Sequence, residues 1–338
     1  MPMAHPTRRD LAAAAIAGLA GLAAPTILRA QPMVLRFSHV VAPDTPKGRG
    51  ALRFAELAAR YSDGAVTVQI YPNSTLYKDK EELEALQLGA VQVLAPSLAK
   101  FGPLGLSEFE MFDLPYIFSG EADLRRITEG EIGTDLLAKL DTKGIRGLAF
   151  WDNGFKLISA NRPLHRPGDC RGLKMRIQSS RIIEAQMAAL GAVPQITGFS
   201  EAYQALATGF ADGTENPPSN MYTQRMHEVQ RHATLSHHGY LGYALIVNAT
   251  FWDGLPAALR DGLDRAVAEA TAYANSTAAE DNAAALAAMR AAGTTQFHDP
   301  TPEERAEWLA VLRPVQDQMA GRVGERLLGR VRDLLGQG

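Results

Sequence analysis

Gly147–Ala160 reads GLAFWDNGFKLISA. Two apolar, strand-like pieces, GLAFW and KLISA, flank Asp152-Asn153-Gly154. Together they exceed the usual strand length of about 5–6 residues in a single domain. A second long segment of the same kind, LGYALIVNATFW, occupies 241–252. We read both as strands that cross between two lobes. The chain has 338 residues, enough for two domains.

Around these segments strands and helices alternate. MVLRFSHVV (33–41), VTVQIY (66–71) and VQVLA (91–95) are strand-like, with helices expected at about 47–61 and 80–88. Beyond Ala160, LKMRIQ gives a strand, 180–190 a helix, 192–195 a strand and 200–209 a helix. The order βαβα predicts an α/β fold with mainly parallel sheets. From Pro256 to Ala292 the chain is alanine-rich and helical, with Gly293 as its stop. Thr301-Pro302-Glu303-Glu304 starts another helix, with a capping Thr, Pro in the first turn and acids beside the helix N-terminus.

The N-terminus has the pattern of an export signal. Arg8-Arg9 precede an apolar run from Leu11 to Ala24, and Leu28-Arg29-Ala30 offers a small residue for cleavage. The run is too short to span a bilayer, and the paired arginines suit a twin-arginine-like or a Sec signal. Residues 1–30 are therefore set aside, and a periplasmic location is expected. The single cysteine, Cys170, precludes an internal disulfide and sits in the turn Pro167-Gly168-Asp169-Cys170. A net charge of -3 with interspersed signs argues against nucleic acid as a partner.

Signatures of catalysis are missing. The chain has no G-x-S-x-G elbow, P-loop or G-x-G-x-x-G after its first strand. His227 and His232 are five residues apart, which separates them around a helix, and adjacent His237 and His238 face opposite sides of a strand. No metal site and no cofactor are expected, and the chain does not read as an enzyme.

LKMRIQSS (173–180) carries the strongest binding signal. As a strand it turns Leu173, Met175 and Ile177 one way and Lys174, Arg176 and Gln178 the other. Ser179-Ser180 then opens a helix whose free N–H groups favour an anion. Glu215-Asn216 ends a neighbouring strand-like run. A guanidinium offers a carboxylate two parallel hydrogen bonds, which a lysine does not. Spacing leaves two readings open: an Arg176–Glu215 ion pair, or a ligand anion on Arg176.

WDNGFKLISANRPL (151–164), GLKMRIQSS (172–180), ALGAVPQITGFSEAYQALATGFADGTENPPSN (189–220) and FSHVVAPDTPKGRGA (37–51) closely resemble the DctP family. These are the solute-binding proteins of tripartite ATP-independent periplasmic (TRAP) transporters. HGYLGYALIVNATFWDGLP (238–256) and IYPNSTLY (70–77) resemble the branch associated with C4-dicarboxylates such as malate, succinate and fumarate. The resemblance implies a two-lobed periplasmic binding protein fold, with crossing hinge strands and a long interlobe helix. The lobes would comprise 31–152 plus about 243–281, and 153–242 plus about 282–338.

For the site, the resemblance implies Arg176 as carboxylate-binding arginine, Asn216 as its partner and Lys156 as a neighbouring basic group. Glu215 and His238 would form a buried network with Lys156. Phe199 would be an aromatic wall, with Ser179 and Gln178 polar positions beside the arginine. In the first lobe His39 and Ser97 match pocket-lining positions, and Lys47 is the candidate for a distal carboxylate. Tyr240 would hydrogen-bond the ligand or pack between the lobes. The implied function is capture of a C4-dicarboxylate and delivery to TRAP membrane permease subunits. Alternatives are another organic acid (2-oxo, aromatic or sugar acid) on the same fold, or a periplasmic sensor subunit serving a receptor kinase.

Overall fold

The computed structural model describes residues 31–337, so the expected export signal lies outside the described residues. Two sheets organise the chain. The first has the order β2-β1-β3-β10-β4, from β1 (Met33–Ser38), β2 (Val66–Tyr71), β3 (Val93–Leu94), β4 (Ile145–Phe155) and β10 (Tyr240–Asn248). The second has the order β11-β9-β5-β8-β6-β7. It contains β5 (Leu157–Ala160), β6 (Lys174–Ile177), β7 (Val193–Ile196), β8 (Gly213–Asn216), β9 (His232–Thr234) and β11 (Gln296–His298).

GLAFWDNGFKLISA crosses between the sheets as its length predicts. β4 ends at Phe155 in the first sheet, and Lys156 alone separates it from β5 in the second. The chain returns through residues 235–239 into β10, antiparallel to β4. The first sheet is mainly parallel, as expected, with β10 the one reversed strand: one crossing strand leaves the lobe, so its companion enters it and runs the opposite way. β10 is buried on both faces, the environment of a central strand. Tyr240, Ala244 and Ile246 join a cluster with Phe109, Phe112 and Ile145. Leu241, Tyr243, Leu245 and Val247 join another with Phe37, Phe54 and Trp151.

Helix α1 (Pro46–Tyr61) covers the first sheet, capped by Thr45 Oγ1 on the Gly48 N–H at 3.1 Å. Helix α2 (Ala257–Ala292) has 36 residues, about 54 Å at 1.5 Å per residue. Its Leu263, Ala266, Ala270 and Ala274 pack with the first sheet, whereas Met289 packs with Leu157 of the second sheet and with Phe199. Midway the helix clasps the crossing strand. Asn275 Oδ1 accepts from Asp152 N at 2.8 Å, and Asn282 Nδ2 donates to Asn153 O at 2.6 Å.

The region between 95 and 145, for which periodicity gives no expectation, forms helical turns at Leu98–Phe101 and Ser107–Asp113 and helices Glu121–Thr128 and Glu131–Lys139. Its aromatic residues fill the first cluster. Helix α3 (Pro302–Leu312) starts with the expected capping box between Thr301 and Glu304, and buries Trp308 and Leu312 against Met175 and Ile177. The last helix, α4 (Glu325–Leu335), departs from the expectation that 282–338 stays with the second lobe. Its Leu328 and Val331 pack with Leu124, Ile127 and Ile132, the apolar flank that the unassigned region supplies. Cys170 is buried, and burial pushes its thiol up to about 12, which makes it an inert packing group.

Gly154 lets α2 lie against the crossing strand. Its φ of 159° is rarely adopted by other residues, and a Cβ would stand 2.7 Å from Asn282 Nδ2. Gly154→Ala should lower stability by about 1–3 kcal/mol, the usual cost of forced overpacking. Gly239→Ala, whose Cβ would meet nothing nearer than Lys156 Cδ at 3.5 Å, should cost less. Urea denaturation midpoints of the two variants check this; equal midpoints would contradict the close approach as the reason for glycine.

Candidate functional site

Strand alternation delivers Arg176 as LKMRIQSS predicts. Leu173, Met175 and Ile177 enter one hydrophobic cluster, which turns Arg176 to the opposite face. On that face β6 lies beside β8, with Arg176 level with Thr214. Asn216 is two residues further along β8, on the same side. Thr214 Oγ1 joins them, donating to Arg176 O at 3.2 Å and accepting from Asn216 Nδ2 at 3.3 Å.

Arg176 is only 1% exposed. Its Nη2 donates to Thr197 O at 2.8 Å and its Nε to Thr197 Oγ1 at 3.3 Å, but its Nη1 is buried without a partner. Burial pushes the guanidinium pKa down, opposed by Asp79, Glu215 and Glu201. The Arg176–Glu215 ion pair does not form. Glu215 instead bonds Lys156 Nζ at 2.7 Å, both side chains buried, on the other face of β8. His238 Nε2 stands 3.8 Å from the same carboxylate oxygen, and its Nδ1 shares a 2.7 Å hydrogen bond with Ser236 Oγ. Lys156 and Glu215 thus form a buried ion pair, and His238, held neutral by burial, lies beside it without bonding it through Nε2. Removing one partner of such a buried pair typically costs about 3–5 kcal/mol.

From the first lobe, His39 follows β1 and is buried with both ring nitrogens unpartnered. Lys47, in the first turn of α1, points inward rather than into solvent. Its Nζ donates to Ala95 O at 2.9 Å and lies 3.8 Å over the Tyr243 ring. Burial lowers its pKa to about 7, with Glu82 pulling the other way. Ser97 Oγ donates to Gln178 Oε1 at 3.2 Å, joining two predicted residues across the lobes. Ser179 and Gln178 line a groove of about 330 Å³ with Asp79, Lys100, Thr197 and Gly198.

Two expectations need correction. Tyr240 points away from Lys47: its O–H donates to Asp152 Oδ1 at 2.7 Å, and its ring packs on Phe118 and Phe155. Tyr243, on the opposite face, is the tyrosine beside Lys47. The helix after Ser180 does not present a free N-terminus, because Arg181 N donates to Glu110 Oε1 at 3.4 Å. Phe199 contributes more than a wall. Its ring packs with Val40 and Val41 of the first lobe, and its N–H donates to Asp79 Oδ2.

Asp79 was hidden in the charged run Lys78-Asp79-Lys80-Glu81-Glu82. Lys100 Nζ binds it and also Glu82 Oε1 at 2.6 Å. Burial opposes ionisation of Asp79, but Lys100 and the Phe199 N–H prevail and hold it at about 2. Thr197, Asp79 and Tyr243 are the residues the sequence reading missed; their roles arise from contacts between distant segments.

Comparison with known proteins now has geometry to stand on. Residues 37–322 match DctP, the bacterial extracellular solute-binding proteins of family 7. The chain belongs to this family. It is 64% identical to the C4-dicarboxylate-binding periplasmic protein DctP of Rhodobacter capsulatus, over 96% of this chain and 98% of that protein. A TRAP periplasmic solute-binding protein from Shewanella oneidensis, solved with bound succinate, superposes with a TM-score of 0.87 at 39% identity, covering 90% of this chain and 99% of that one. A relative from Pseudomonas aeruginosa, solved with bound L-malate, gives 0.83 at 41% identity, covering 85% and 100%. The family is one of solute carriers with two-lobed α/β architecture rather than of enzymes.

His39 and His238 are both held near 3, chiefly by burial, with Lys47 disfavouring the charge on the first and Lys156 and His237 on the second. An unfolded chain protonates them below about 6.5. Their contribution to stability is therefore full above pH 6.5 and declines as pH falls toward 3. Asp113, raised by burial to about 7, acts in the opposite sense as the smaller share. Thermal midpoints should fall between pH 7 and 5, and more gently in His238→Gln. An equal slope in that variant would show that His238 is not the neutral group described.

Proposed function

We propose that this protein captures a C4-dicarboxylate of the malate, succinate or fumarate type in the periplasm and passes it unchanged to a TRAP membrane permease. One observation carries the reading: a fully buried guanidinium, fixed along one side by Thr197, whose Nη1 has no partner among the described residues. Leaving a buried charged donor unpaired costs several kcal/mol, and a carboxylate restores the bond in charge-assisted form. Asn216, on the same face, supplies an amide beside it. Lys47, His39 and Tyr243 offer a second polar group from the first lobe. Two cationic side chains from different lobes suit an anion charged at both ends. The names and bound ligands of the relatives support the same chemistry.

Binding then requires both lobes. The acid pairs with Arg176 and Asn216, and closure brings up Lys47, His39 and Ser97, a hinge motion around a ligand. Asp79 on the Phe199 N–H and Ser97 on Gln178 are the protein's own contacts across the closed cleft. The donor set supports carriage without conversion: His39 and His238 are buried and held neutral, and Lys156 is paired with Glu215.

A thermal shift panel tests the ligand class. Malate, succinate or fumarate should stabilise the mature protein, with the shift lost in Arg176→Ala and affinity at least about tenfold weaker in Arg176→Lys, which forfeits the bidentate geometry. Stabilisation by sugar acids or monocarboxylates alone would overturn the dicarboxylate assignment.

Proton uptake tests Lys47 separately. Its pKa of about 7 leaves much of it neutral at pH 8, and a second carboxylate nearby would raise that value. Calorimetry at pH 8 in buffers of different ionisation enthalpy should reveal uptake of up to about one proton, absent in Lys47→Met. Identical enthalpies in all buffers would remove Lys47 from the ligand's surroundings.

A further inference from the structure

Outside the cleft, the fold gathers three metal-type donors that no sequence spacing connects. His165 belongs to the loop after β5, His298 ends β11, and Glu304 lies in the first turn of α3. One donor atom from each lies within 4.8 Å of the other two. The two imidazoles face each other at 4.1 Å between centroids, and His298 Nε2 is already 2.7 Å from Glu304 Oε2.

The backbones beneath these side chains are pinned. Trp308 Nε1 donates to His165 O at 3.0 Å, Thr234 Oγ1 to Leu164 O at 2.6 Å, and Leu235 N to His298 O at 3.0 Å. Glu304 is fixed by its capping role, accepting from Thr301 N at 2.9 Å. The nearby cations are engaged elsewhere, Arg166 with Glu307 at 3.1 Å and Arg290 with Asp299 at 2.8 Å. His298 also lies four strands from β6 in the sheet order, about 19 Å at the usual strand spacing, so the cluster is separate from Arg176.

We propose that His165, His298 and Glu304 form a site for a divalent transition ion, zinc above all. Two imidazoles and one carboxylate match the donor preference of zinc, at bonds of about 2.0–2.2 Å, with water completing a tetrahedron. Tetrahedral placement requires donors about 3.3 Å apart, which the exposed His165 ring reaches by turning. Magnesium and calcium prefer all-oxygen shells and fit poorly. The bound ion would staple the loop after β5, the edge strand β11 and the start of α3, adding to the Trp308–His165, Arg166–Glu307 and His298–Glu304 contacts that already join them. The sequence conceals the site because its donors come from three separate segments.

Calorimetric titration of chelator-treated mature protein with zinc chloride is the test. One zinc per chain should bind, with affinity at least tenfold weaker in His165→Ala, His298→Ala and Glu304→Gln, the last keeping an acceptor for the cap. Cobalt(II) should give the intense visible absorption of a tetrahedral N/O site in the wild-type protein and lose it in Glu304→Gln. Magnesium should give no heat. Absence of zinc binding overturns the proposal. So does unchanged affinity in a folded His165→Ala/His298→Ala double variant, which would place the ion on other histidines. Should that double variant fail to fold, an unchanged cobalt spectrum in Glu304→Gln overturns it.

Discussion

A guanidinium stays charged inside a protein, so one removed from water needs acceptors for its donors. Arg176 is fixed along one side by Thr197 while Nη1 remains buried and unpaired. The nearest acid along the sheet, Glu215, is committed to Lys156 on the opposite face. Much of the second lobe serves that separation. Alternation along β8 sends Asn216 and Glu215 to opposite sides, so a single strand supports a ligand-facing surface and a structural ion pair. Crossing directly from β4 to β5 places Lys156 at the junction, where its bond to Glu215 also ties the connection to the sheet.

The first lobe meets this site with groups whose charge is weakened by burial. His39 is kept neutral and Lys47 is brought close to neutrality. Lys100 pairs with both Asp79 and Glu82 at the edge of the cleft, where burial raises the Glu82 pKa. Such an arrangement limits repulsion inside the cleft while leaving cationic character to be recovered when an anion is present.

The sequence made the fold legible where local patterns repeat. Long crossing segments, alternation in LKMRIQSS and the capping of α3 all rest on residues close in the chain. Local patterning also places Tyr240 and Tyr243 on opposite faces of β10. It does not say which face meets Lys47, because that depends on α1 docking over the first sheet. Thr197 and Asp79 escaped notice for a similar reason: an ordinary threonine and an acid in a charged run become important only when β6 and Phe199 reach them. The region between 95 and 145 lacked a period because irregular helical turns, not long elements, carry its aromatic residues into the core. That gap also hid the docking place of α4.

Four covalent straps join the lobes: Lys156, residues 235–239, the body of α2, whose two halves belong to different hydrophobic clusters, and the segment 313–324 that carries the chain from α3 back to α4. A single strap would allow the lobes to swivel and slide. Several straps, with α2 held to the crossing strand by Asn275 and Asn282, restrict that freedom, like a door on a long piano hinge. Closing about such a hinge would bring Asp79 to the Phe199 N–H in register.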